Sequence, residues 1–276
     1  MDMHYVRRGS GKPLLLIHGL GGSWRSWSPV LEDLAAQRDV IAVDLPGFGA
    51  SPPLEGETSI ATLADAVAEF LGSQRLLGID VAGHSAGARL VLELARRRLV
   101  GATVALGPGG FWSGWQKHVF IDSIRLSIRL VRALQPVMGA LTRSRIGRML
   151  LLAQLSADAG DVPPRAALDE MRSYAAATRF DELLESVVFG PKQEGMAPSA
   201  QAGPIVIGWG RQDRVCFPNQ ARSALEHFPG ARLHWFDPCG HYVQWDQPAE
   251  TVRVILEATA GASAVTPPGR TAAGAR

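Results

Sequence analysis

VAGHSAGARL, residues Val81 to Leu90, sets one serine between two glycines where an apolar run meets an Ala/Leu-rich stretch. Two readings compete. In the first, a strand ends, small residues turn the corner, and a helix begins. In the second, the serine sits on so tight a strand-to-helix turn that its hydroxyl is pushed into the open, and the glycines relieve the crowding. The pattern G-x-S-x-G is too short to decide between them. A nucleophilic serine also needs a base, an acid to orient that base, and donors for an oxyanion.

Outward from that stretch, short apolar runs alternate with helical patterns, as in a mostly parallel sheet with helices on both faces. PLLLIHG (Pro13 to Gly19) and DVIAVDLPG (Asp39 to Gly47) read as strands before Ser85, and VGATVALGPGG reads as one after it. A helix opens near Thr58 or Ser59, with Leu63, Val67 and Phe70 on one face. From Phe111 to about Ser199 the alternation stops and only helical patterns remain, until PIVIGWG and ARLHWF restore the strands. A helical insertion between parallel strands lies over their carboxyl ends, where open α/β sheets bind ligands. The expected organisation is a core of residues 1–110 and 200–262, a helical cap over 111–199, and a disordered Pro/Gly-rich tail over 263–276.

Bulk composition sets the frame. The chain has 276 residues, 46% hydrophobic and 20% charged, with a net charge of +2 that gives no general pull toward nucleic acid. Two cysteines cannot build a disulfide framework, so a reducing compartment and free thiols at Cys216 and Cys239 are expected. The start carries no signal-peptide pattern and no run approaches a membrane span, which reads as a soluble, cytoplasmic protein.

Seven histidines could serve as the base. His4, His118, His227 and His234 fall at the start, at the head of the cap, or within helix and strand patterns. His84 is fixed beside the serine, and His18 ends the first strong strand, where it reads as shaping a loop. His241 stands in a Pro/Gly loop after the last strand, DPCGHYVQWDQPAE, and is the expected base. Asp213, just past the strand in GWGRQDRVCFP, is the expected orienting acid, with Asp237 as the local alternative.

The order Ser85, Asp213, His241, with HGLGGSW, DLPGFGAS, GHSAG, GWGRQD and CGHYVQWDQP in register, resembles the α/β-hydrolase superfamily. The resemblance implies an eight-stranded, mostly parallel sheet with the cap inserted after the sixth strand. It also implies an oxyanion hole from the backbone N–H groups of Leu20 and Ala86, and neither cofactor nor metal. A serine rather than an aspartate at the turn argues against the haloalkane dehalogenases and epoxide hydrolases of that fold. The leading reading is hydrolysis of a small hydrophobic or aromatic carboxylic ester through an acyl-enzyme. The alternative is a carbon–carbon hydrolase of the meta-cleavage-product type, acting on a ketone. CGHYVQWDQ is similar to that group's segment, whereas its usual Gly-Asn-Ser elbow and a secure cap arginine (Arg172 or Arg179) are missing. A third reading, a hydrolase-like protein that binds without turnover, would normally have lost one of the three residues.

The cap is basic. Between Lys117 and Arg148, Asp122 is the only acid, and Arg125, Arg129 and Arg132 share a helix face opposite Ile121, Ile124, Ile128 and Val131. Either that face is merely solvated, or it touches an anionic lipid surface or an acidic substrate. Trp112 and Trp115 suggest an apolar mouth to the pocket.

Overall fold

The computed structural model describes residues 2–261. Strands β1 (Tyr5–Gly9), β2 (Pro13–Ile17), β3 (Asp39–Val43), β4 (Asp80–His84), β5 (Thr103–Leu106), β6 (Ile205–Gly210) and β7 (Arg232–Phe236) form one sheet. Their spatial order is β1-β3-β2-β4-β5-β6-β7. Only β1 runs antiparallel, against β3. The alternation of apolar runs and helices thus produces the expected mostly parallel sheet.

Two details of the expectation are wrong. The sheet has seven strands among the described residues, not eight, and the cap follows the fifth strand, not the sixth. The count of eight came from the family resemblance and not from the chain's own apolar runs. A single antiparallel strand, Tyr5–Gly9, covers this edge of the sheet, and the ordinal of every later strand falls by one. The expected tail at 263–276 lies outside the described residues.

Strands β2 to β6 are buried on both faces, which is why they read as continuous apolar runs. Leu15, Ile17, Ile41, Val43 and Val81 face one cluster with α2 (Ile60–Ser73) and α3 (Ala86–Arg96). The alternate residues Leu14, Leu16, Val40, Ala42 and Ala82 face another, packed with α1 (Ser28–Ala35) and α11 (Pro248–Ala260). Each fully buried Leu, Ile or Val contributes roughly 1.5–3 kcal/mol, so these layers hold the strand ends firmly. Helix α2 is opened by Ser59, which exchanges capping bonds with Thr62.

Between β5 and β6 come α4 (Gln116–Ala133), α5 (Met138–Arg143), α6 (Arg145–Leu151), α7 (Pro164–Ala176) and α8 (Phe180–Phe189). These cap helices have their own apolar centre, including Val131, Met138, Leu152, Ala167 and Met171. After β6 follow α9 (Gln220–His227) and, beyond β7, the short α10 (Val243–Asp246). No helix among the described residues is long and apolar enough to cross a membrane.

Candidate active site

Every residue of β4 is buried, and the strand passes directly into α3 through Ser85. Ser85 has φ 56° and ψ −115°, a backbone conformation that a non-glycine residue rarely adopts. The two glycines of the motif have a steric reason. A Cβ on Gly83 would sit 2.3 Å from the Gly87 carbonyl oxygen, and one on Gly87 would sit 2.3 Å from that of His18. The turn closes only if both side chains are absent. Serine is a favoured helix cap, yet Ser85 caps nothing. Its hydroxyl meets His241 instead.

His241 Nε2 lies 2.9 Å from Ser85 Oγ, and its Nδ1 lies 2.8 Å from Asp213 Oδ2. Asp213 and His241 are buried. The other carboxylate oxygen of Asp213 accepts from the N–H groups of Val215 and Cys216, both at 2.8 Å. These bonds aim the carboxylate at the ring, so Nδ1 carries the proton and Nε2 is left as the acceptor for the hydroxyl. The local alternative, Asp237, is turned to Gln212 Nε2 at 3.0 Å. The residues singled out from the sequence as nucleophile, acid and base therefore meet in one place.

His84 has a task the sequence did not suggest. Its Nε2 lies 2.9 Å from the His241 carbonyl oxygen, so Nε2 bears the proton and donates. Burial holds its pKa well below the usual histidine value, with the nearby His241 adding to the effect. A neutral His84 thus anchors the loop that carries His241. His18, also kept neutral chiefly by burial, accepts from the Leu45 N–H through Nε2 and donates from Nδ1 to the Gly19 carbonyl. It shapes the loop that leads to Leu20.

A cavity of about 70 Å³ opens above Ser85. Small-molecule clefts commonly span roughly 300–1,000 Å³, so this cavity is narrow. Gly19, Leu20 and His241 line its floor, while Ile128, Val131 and Leu155 line its ceiling. Ala86 follows Ser85 as the first residue of α3, where backbone N–H groups lack intrahelical acceptors. Its side chain is not part of the lining. Nor are Trp112 and Trp115: Trp112 stacks on Phe120, and Trp115 is exposed against Phe217. Neither Arg172 nor Arg179 reaches the cavity. Arg172 is exposed, and Arg179 is spent on Glu182 and the Leu54 carbonyl.

A second polar group borders the same cavity. Glu170 of α7 is buried, and both its oxygens lie 2.9 Å from Ser26 Oγ. The Tyr242 hydroxyl donates to Oε1 at 2.5 Å and lies 2.5 Å from the Tyr174 hydroxyl. Both tyrosines line the cavity. Burial pushes the Glu170 carboxyl up to about 7, against the pull of its bonds from Tyr242 and Ser26. With Glu170 ionised, Tyr242 must donate to it and Tyr174 must donate to Tyr242. With Glu170 protonated, the chain can run the other way and Tyr174 can donate into the cavity. Sequence reading missed this group, although one signal was present: Ala167, Glu170, Met171 and Tyr174 recur at helical spacing, placing an acid in an apolar stripe. Cys216 and Cys239 are buried and free. Among the described residues no three His, Cys, Asp or Glu side chains converge as a metal site requires.

Comparison with known proteins agrees with this architecture. The chain is 30% identical over 257 residues to the dihydrolipoyllysine-residue acetyltransferase component of the acetoin cleaving system of Cupriavidus necator, covering 89% of this chain and 63% of that one. It thus spans less than two thirds of that relative's length. It is 28% identical over 271 residues to 2-hydroxy-6-oxononadienedioate/2-hydroxy-6-oxononatrienedioate hydrolase 2 of Pseudomonas putida, covering 93% of this chain and 91% of that one. Among solved structures it resembles the enol-lactonase of Burkholderia xenovorans LB400 in fold, with a TM-score of 0.73, 16% identity, and coverage of 94% and 96% of the two chains. The sequence profile described as Alpha/beta hydrolase family matches residues 14–254, a span that runs from β2 through the cap into the last helix. By that match the chain belongs to the alpha/beta hydrolase family.

Proposed function

We propose that the chain hydrolyses a carbon–carbon bond beside a ketone in a small organic substrate, through an acyl intermediate on Ser85. Of the two reactions the sequence leaves open, the relatives favour this one over the ester hydrolysis first expected. Four proteins named as 2-hydroxy-6-oxononadienedioate/2-hydroxy-6-oxononatrienedioate hydrolases are 26–28% identical over 89–93% of either chain. Within the fold, the observation that carries the proposal is the Glu170–Tyr242–Tyr174 chain at the cavity wall. Ester hydrolysis moves protons only among nucleophile, alcohol and water, and one histidine can handle all of them. Carbon–carbon cleavage instead expels an enolate, whose carbon takes the proton an alkoxide would have taken and whose oxygen carries the leaving charge. A second hydrogen-bond donor beside the triad, aimed at that oxygen, answers that need.

In this reading His241 takes the proton of Ser85 Oγ as the oxygen attacks the ketone carbon. Negative charge gathers on the carbonyl oxygen, where the N–H groups of Leu20 and Ala86 stabilise it, each by about 3–4 kcal/mol. The carbon–carbon bond then breaks, its electron pair leaves as an enolate, and the proton that His241 took from Ser85 passes to that carbon, leaving the imidazole neutral again. Water, deprotonated by His241, releases the acid from Ser85.

Ester hydrolysis remains the second reading because of the wall. Among the described residues no Lys or Arg lines the cavity, so a carboxylate at the far end of a dioate meets none of their cations there. A substrate with an uncharged, apolar end suits this wall under either reaction. The deciding measurement is kcat/KM for a phenyl-ended vinylogous diketone acid, made by meta-cleavage, against p-nitrophenyl butyrate. The diketone should be preferred by a factor on the order of tenfold or more. Turnover of the ester with no cleavage of the diketone would make the enzyme an esterase.

A further inference from the structure

The inner sides of α4 and α6 supply the cavity with Ile128, Val131 and Leu151. Their outer sides are also apolar, which a merely solvated cap does not require. Leu126 and Leu130 on α4 are 60% and 52% exposed, and Ile146 and Leu150 on α6 are 70% and 76% exposed. The segment that follows α6 is joined to α4, because Gln154 lies 3.1 Å from Ser127 Oγ and donates to Ser123 Oγ of α4 at 2.9 Å. Helix α6 is also held rigidly. Arg148 is buried and donates to the carbonyls of Thr142, Arg143 and Gly160, and Gly147 lets α6 press against the backbone of Leu141.

Cations flank this apolar surface. Among the described residues no acid lies within ion-pair distance of Arg129 or Arg143, both of them exposed. The acid paired with Arg145 is the equally exposed Asp161, at 3.5 Å. Arg125 and Arg132, by contrast, are paired with Glu185 and Asp181. Asp122 is the only acid from Lys117 to Ala157.

We infer that the outer face of α4 and α6 docks on an anionic lipid surface. Exposed aliphatic side chains among unpaired arginines match the boundary between acyl chains and charged headgroups. An acidic protein surface would satisfy the arginines but leave Ile146 and Leu150 against polar groups. Each arginine near an anionic bilayer strengthens binding about fivefold. The docking stands apart from the reaction. Only one consequence rests on the proposed hydrolysis: an apolar substrate dissolved in the bilayer would be separated from Ser85 by a single layer of helix.

The test is sedimentation of the full chain with vesicles of phosphatidylcholine, with and without phosphatidylglycerol. The chain should bind the anionic vesicles, ignore the neutral ones, and detach as salt is raised. Arg129→Glu with Arg143→Glu, and separately Ile146→Asp with Leu150→Asp, should each weaken binding by about tenfold or more. Thermal unfolding checks that the variants fold, and Ile146→Ser with Leu150→Ser replaces the aspartates if they do not. No binding to anionic vesicles, or binding that both pairs of substitutions leave intact, overturns the proposal. A dimer in size-exclusion chromatography that Ile146→Asp with Leu150→Asp dissociates also overturns it, assigning the face to a second copy of the chain. None of these readouts depends on turnover, so their failure is distinct from failure of the hydrolase reading.

Discussion

The floor and the ceiling of the cavity are built by different means. On the floor, backbone geometry does the positioning: Ser85 is held by a strained turn, Asp213 by two N–H groups, and the His241 loop by His84. On the ceiling, helices present side chains, and the polar ones there are ordered by other side chains, as Glu170 and Tyr174 of α7 are by Tyr242 from the His241 loop. A floor of this kind fixes the chemistry and tolerates little change. The ceiling sets the shape and polarity of the space above Ser85.

The largest effect that could break this contrast is on the floor. Ser85→Ala should lower kcat by about 10⁶-fold and abolish labelling by a fluorophosphonate, while the unfolding midpoint stays put. Intact turnover in that variant would end the proposal that Ser85 is the nucleophile. Asp213→Asn should cost less, about 10⁴-fold, because it leaves the ring in place but favours the wrong tautomer. A loss of tenfold or less, measured at saturating substrate, would mean that another group orients His241.

The contrast also explains what could be read in the sequence. A serine between glycines at the end of an apolar run, an acid past one strand and a histidine past the last are local signals, and the structure brings those three side chains together. Strands buried on both faces are legible for the same reason. Strand β1 was not, since YVRRG is an exposed edge whose residues show no apolar run. Glu170 was not read either. Beside Asp169 on an amphipathic helix it passes for a solvated acid, and the tyrosine that buries it, Tyr242, lies 72 positions away. Tyr242 itself was hidden by its neighbour, because every question about that loop concerned His241.

Glu170 offers a stability test of the ceiling. Its carboxyl is raised to about 7 by burial, above the ordinary glutamate value. The buried acid therefore adds stability that is fully present below the unfolded value. That stability is lost as pH rises through 7, where the folded chain must carry a buried carboxylate. The size of the loss is about 3 kcal/mol. Glu170→Gln should remove it. Urea unfolding at about pH 5 and about pH 8 should show the wild type losing more stability than the variant across that window. His18 and His84, whose pKa values burial lowers, are present in both proteins, so their contributions cancel in the difference. Equal slopes in the two proteins would place the Glu170 titration elsewhere.

The smallest effect is the most diagnostic of what the ceiling does. Tyr174→Phe removes one hydroxyl and keeps the ring that packs edge-on against Phe180. If the ceiling serves the carbon–carbon reaction, the variant should lose about tenfold in kcat/KM for the diketone, the worth of one hydrogen bond to the substrate. Ester hydrolysis, which needs no such donor, should hardly change. The sign of the pH dependence follows from the chain of hydroxyls. Only with Glu170 protonated can Tyr242 turn its proton toward Tyr174 and free the Tyr174 proton for the cavity. The wild-type advantage on the diketone should therefore grow as pH falls through about 7 and be absent in the variant. The groups facing Glu170 that could blur this are Asp169 on its own helix and the two tyrosines. The tyrosines stay protonated throughout, since burial pushes both further up. Profiles of kcat/KM for both substrates, taken on both proteins, make the measurement. An equal loss on ester and diketone would show that Tyr174 only shapes the wall and donates nothing to the leaving enolate.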